Sequence, residues 1–84
     1  MASAGEWVRQ IVAQSQHEPM TTEQVLKSLE RHAGQGDKAL RRVQEVLEYI
    51  DGELVERRGG LVMRDLFSTV TDYIEKVQES LAAA

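Results

Sequence analysis

The side chains of this 84-residue chain that are able to act on a ligand are few and scattered. His17 and His32 are the only imidazoles, and they fall on different predicted elements. There is no cysteine, and no tight carboxylate pattern completes a metal set around either histidine, so no metal site is expected. Ser15, Ser28, Ser68 and Ser80 show no base partner in their sequence context. Gly34-Gln35-Gly36 lacks the third glycine and the preceding strand of a phosphate-cradling loop, and Gln35 reads as an exposed turn residue. Without a metal set, a cofactor motif or an acid-base cluster, the expected chemistry is binding rather than catalysis: no enzyme and no cofactor.

The remaining chemistry is ionic. The formal charge is −4, which weighs against a protein that coats phosphate backbone, yet the charge is polarised along the chain. Six of the ten basic residues, Lys38, Arg41, Arg42, Arg57, Arg58 and Arg64, lie between positions 38 and 64. From Asp65 onward, Asp65, Asp72, Glu75 and Glu79 stand against Lys76 alone. Lys38, Arg41 and Arg42 open a predicted helix that closes on Glu45, Glu48 and Asp51. That order opposes the helix dipole, by about 0.3–1 kcal/mol per charge near each end. Cations at a helix start make sense if that end meets an anion, with Lys38 and Arg42 on phosphates, Arg41 at a base edge, and Arg57 and Arg58 holding the flanking backbone. Ordinary i,i+4 pairing, such as Arg41 with Glu45, explains the same residues without a ligand.

The elements that must position these charges are predicted from periodicity and caps. A first helix over about Gly5 to Gln16 carries Trp7, Val8, Ile11 and Val12 on one face, which makes Trp7 a core residue rather than a stacking platform for a base. After Pro19, Thr21 and Gln24 form a capping box for a second helix, Thr22 to about His32, with Val25, Leu26 and Leu29 on its apolar face. Gly34 or Gly36 ends it, and Asp37 caps a third helix whose stripe is Leu40, Val43, Val46, Leu47 and Ile50, with Gly52 as the stop. The β-prone runs Leu54 to Arg58 and Leu61 to Arg64, separated by Gly59-Gly60, predict a β-hairpin. A last helix begins near Asp65 or Ser68 and runs to about Leu81. Its wide apolar face comprises Leu66, Phe67, Val70, Tyr73, Ile74, Val77 and Leu81, suited to docking on its own domain, to a dimer interface or to a partner's groove.

The order helix, helix, short turn, helix, hairpin resembles the winged helix-turn-helix superfamily. Pro19-Met20-Thr21-Thr22-Glu23-Gln24-Val25 is similar to the segment that opens its second helix. Val46-Leu47-Glu48-Tyr49-Ile50-Asp51-Gly52-Glu53-Leu54-Val55-Glu56-Arg57 resembles the end of its recognition helix and the entry to its wing. The Ala33 to Asp37 connection is looser than a strict helix-turn-helix turn, and the Gly59-Gly60 tip is short for a wing. The resemblance implies a mostly α fold with a small β-hairpin: a winged-helix-like core over 5–64 with an appended C-terminal helix over 65–83, in one domain of 1–84.

Two functions follow from these observations. The first is a small DNA-binding protein, a transcriptional or replication regulator contacting double-stranded DNA through Lys38, Arg41, Arg42, Arg57 and Arg58. The second is an adaptor or subunit of a larger complex that holds another protein through the last helix, the element by which the DNA-binding protein would instead dimerise or complete its core. No run approaches the roughly 18 apolar residues of a membrane span. The first residues lack the basic start and apolar run of a signal peptide, and the absence of cysteine fits a reducing, intracellular setting, cytoplasm or nucleus.

Overall fold

In the computed structural model, which describes residues 3–36, 38–56, 58 and 60–83, the chain folds as four α-helices. They are α1 (Ala4–His17), α2 (Thr22–Ala33), α3 (Lys38–Val55) and α4 (Gly60–Ala83). α1 starts where the Ser3 hydroxyl accepts from the Glu6 amide at 3.2 Å, and it ends at Glu18, whose extended backbone precedes Pro19. α2 opens on the expected capping box: Thr21 Oγ1 accepts from the Gln24 amide at 3.1 Å, and Gln24 Oε1 accepts from the Thr21 amide at 2.9 Å. Gly34, at φ 72°, closes α2. Asp37, read as the cap of the third helix, lies outside the described residues.

The winged-helix-like fold with a hairpin is not what the chain adopts. Among the described residues there is no strand: Leu54 and Val55 belong to α3, and Leu61 to Arg64 belong to α4. The β-prone composition yields to helical periodicity that continues on both sides of the connection. Val43, Val46 and Ile50 are buried, and Leu54, four residues beyond Ile50, packs against the same core. Met63, Leu66, Val70 and Ile74 repeat the spacing in α4. Gly60 has the positive φ, 56°, that a hairpin turn also requires, but it serves a helix-to-helix connection. The other half of the expected hairpin tip, Gly59, lies outside the described residues.

Each helix delivers one stripe to a common core. α1 gives Trp7, Val8 and Ile11, α2 gives Val25, Leu29 and Ala33, α3 gives Val43, Val46 and Ile50, and α4 gives Met63, Leu66, Val70 and Ile74. Among the described residues no charged side chain is buried, and the one buried polar side-chain atom without a partner is the Thr71 hydroxyl oxygen on α4. α3 is central: it touches the other three helices and packs most extensively on α4. α1 and α2 run antiparallel, with the indole N–H of Trp7 in the first turn of α1 donating to Ser28 Oγ in the second half of α2 at 3.0 Å. α3 and α4 reverse direction through the short connection over 56–59. α4, 24 residues and therefore ~36 Å long, spans nearly the whole 39 Å length of the molecule.

Gly52 is the clearest measurable difference between the two folds. A helix stop would need Gly52 for its left-handed freedom, whereas here it lies inside α3 at negative φ with open space around its Cα. Gly52→Ala should therefore stabilise the protein by about 0.5–1 kcal/mol, a shift of several degrees in Tm for a domain of this size. Gly5→Ala should do the reverse. A Cβ there would meet Tyr49 Cε2 at 2.8 Å, and the resulting crowding, about 1–3 kcal/mol, exceeds the gain in helix propensity. Thermal unfolding of the two variants checks both signs, and a destabilised Gly52→Ala would mean that α3 ends where the sequence alone suggested.

Candidate functional site

Of the five residues expected to meet nucleic acid, the four described ones are divided between the two ends of α3. Lys38, the first residue of α3, is exposed. Arg41 is also exposed, with Nε 3.9 Å from Glu45 Oε1. Arg42 turns inward: its Nη1 donates to the Ala33 carbonyl at 3.0 Å and so caps the last turn of α2 from the neighbouring helix. Arg58 lies past the far end of α3, an 18-residue helix ~27 Å long, with its Nε 2.6 Å from Glu53 Oε2. Arg57 lies outside the described residues.

The hydrogen bond from Arg58 holds the Glu53 carboxyl below the usual carboxylate range. It joins two residues that flank the end of α3, together with a backbone bond from the Arg58 amide to the Glu53 carbonyl at 2.8 Å. Arg58 is thus engaged in closing the α3–α4 connection. His32 is tilted against Trp7, ring centroids 5.8 Å apart. Burial, and then the Arg42 charge, push its pKa below the ordinary histidine value, while Glu45 opposes them. Arg42 brings a further cation to the end of α2, whose own last turn already carries Arg31 and His32. No capping pattern within α2 could have revealed this, because the donor comes from the next helix. Among the described residues no group of three or more histidines and carboxylates comes together to hold a metal ion.

The apolar face of the last helix divides in two. Leu66, Val70 and Ile74 are buried in the chain's own core, and Phe67 and Tyr73 pack half-buried against it. Val77 is half-buried beyond them, and Leu81 is 63 % exposed. From Gln78 to Ala83 every residue is exposed, so the last turns of α4 run past the bundle.

Beside that free end lies a groove of about 660 Å³ between α2 and α4. The two helices run in the same sense there: Thr22 shares a pocket with Asp65 and Thr69, while Glu30, two turns along α2, acts electrostatically on Tyr73. Half-buried Leu26, Tyr73 and Val77 line the groove, and exposed Glu30, Asp72, Glu75 and Glu79 edge it, with Lys76 as the lining cation. Burial, with the Glu30 charge adding to it, raises the Tyr73 pKa. The acidic tail of α4 is visible in the sequence. Its juxtaposition with Leu26 and Glu30 is not, because that depends on the tertiary pairing of α2 with α4.

The acidic edge is only partly balanced within α4, where Lys76 lies four residues after Asp72 and three before Glu79. Asp72 with Glu75 and Glu75 with Glu79 are like-charge neighbours at three and four residues, each destabilising an isolated helix by a few tenths of a kcal/mol. The last turn of α4 carries no basic residue to favour the dipole.

Comparison of the chain with protein-family models, with curated proteins and with solved structures finds no match. The functional reading therefore stands on the geometry of this chain. No described helix is long and apolar enough to cross a membrane.

Proposed function

We propose that this chain is a protein-binding helical module, an adaptor or subunit, that holds its partner along the α2–α4 groove and the free end of α4. The observation that carries this is the apolar line Leu26, Tyr73, Val77 and Leu81, left half-buried or exposed beside a core that already takes up Leu66, Val70 and Ile74. A groove of this form, with an apolar base and a charged edge, suits side-on capture of another chain. The competing function is duplex DNA binding at the start of α3. It draws support from the exposed Lys38 and Arg41, while Arg42 and Arg58 are engaged within the fold.

Photo-crosslinking in the native cell separates the two. A photoreactive residue at position 77 or 81 should yield a covalent adduct with another protein, whereas one at position 38 or 41 should not. A mobility shift with duplex DNA at about 0.15 M salt should be absent. Adducts confined to positions 38 and 41, or a DNA shift abolished by Lys38→Glu with Arg41→Glu, would overturn the proposal in favour of DNA.

A further inference from the structure

Resting on the protein-binding function just proposed, the geometry points to a more specific occupant: a basic amphipathic helix of a partner protein, lying along the α2–α4 groove. Its apolar stripe would cover Leu26, Tyr73, Val77 and Leu81, and its lysines or arginines would face Glu30, Asp72, Glu75 and Glu79.

Charge complementarity selects the class of partner. Four carboxylates and one lysine line or edge an apolar strip, so an acidic or neutral segment docking there would leave the carboxylates unanswered or repelled. Lys76 is the one cation among Asp72, Glu75 and Glu79 and cannot balance all three, so a facing row of cations supplies the missing charge. Shape selects a helix. From Thr69 to Leu81 the exposed edge of α4 runs ~18 Å, a little over three helical turns. No strand edge exists among the described residues for an extended peptide to join, and Tyr73 is the only aromatic side chain in the groove, too little for proline-rich capture.

A second copy of this chain is a poor occupant. A symmetric pairing of the two α4 ends would bring the same acidic row onto itself, and an isologous interface has no other side to offer. Head-to-tail binding of the groove to the exposed Lys38 and Arg41 of another copy would present two cations on a helix start, without an apolar stripe.

The probes are three synthetic 18-residue peptides offered to the isotopically labelled full chain. One has leucines on a single helical face and lysines on the rest, and the second keeps the leucines but replaces the lysines by glutamates. The third has the composition of the first in an order with no apolar face. The first should shift the backbone signals of Leu26, Tyr73, Val77 and Leu81. It should bind at least about tenfold more tightly than the scrambled peptide, and about tenfold more weakly when salt is raised from 0.05 to 0.5 M. Glu30→Lys with Glu79→Lys, both exposed positions, should cost the basic peptide about tenfold and admit the acidic one.

If the acidic peptide occupies the same groove equally well in the unaltered chain, the groove binds proteins but the basic partner is wrong. Binding by the scrambled peptide equal to that of the first would reduce the effect to net charge and overturn the amphipathic helix. If no peptide moves the groove signals, the basic helix is refuted, and position-77 crosslinking then decides separately whether the groove is an interface at all. Sedimentation that grows with protein concentration and is lost in the charge-reversed variant would replace the partner by a second copy.

Discussion

Val70→Asp should unfold the protein. Val70 is fully buried on the face of α4 that also carries Leu66 and Ile74, and among the described residues no charged side chain is buried that might answer a carboxylate there. An unpaired carboxylate inside an apolar core costs several kcal/mol or is driven to protonate, and the lost valine removes a further ~1.5 kcal/mol of burial. Domains are stable by only about 5–15 kcal/mol, and small ones buried mainly by packing sit low in that range. Far-UV circular dichroism should show helix loss, and the fluorescence of Trp7, the single tryptophan, should move to that of a solvated indole. Leu81→Asp, at a position 63 % exposed, should change neither signal. A folded Val70→Asp protein would instead make this face of α4 an interface, with α1 to α3 sufficient as a core.

Trp7→Ala should be the most damaging truncation in α1, lowering stability by about 3–5 kcal/mol in urea unfolding followed by circular dichroism. The indole is 4 % exposed, its N–H is held by Ser28, and His32 lies against its ring. Two effects add: the loss of a large apolar surface that joins α1 to α2, and the space left beneath His32. Ser28→Ala tests the polar share alone, since it leaves the indole N–H without its acceptor, and about 1 kcal/mol is expected for this partly buried bond. A loss below about 1 kcal/mol for Trp7→Ala would contradict a core role and return the ring to the surface, as a platform for a base would require.

The local signals in the sequence were legible because their causes are local. Thr21 and Gln24 cap one another within three residues, Gly34 takes a positive φ at the end of its own helix, and Trp7, Val8 and Ile11 share a face whatever they pack against. Leu54 to Arg58 misled for the same reason. Their β-prone side chains and the glycine at position 52 argue locally for a stop, at about 1 kcal/mol for a glycine inside a helix. Burial of the stripe from Val43 to Ile50, carried on by Leu54, outweighs that cost once α4 is present to receive it. The candidate site was half legible. Asp72, Glu75 and Glu79 stand in plain order, but Leu26 and Glu30 join them only through the pairing of two helices far apart in the chain. The bond from Arg42 to the Ala33 carbonyl has no counterpart in the sequence, because a cap supplied across a helix boundary leaves no periodic trace.

The place of α4 in the core also governs when the protein can fold. Met63, Leu66, Val70 and Ile74 close the interior from the last helix, and α3, at the centre, has its largest contact with that helix. During synthesis α1, α2 and α3 emerge first, with Val43, Val46 and Ile50 uncovered on the α4 side. A nascent chain stalled before Ile74 should therefore remain a loosely helical, chaperone-accessible species. Release of the last turns should then be followed by rapid collapse, since short connections and helical contacts keep the sequence separation of native neighbours small.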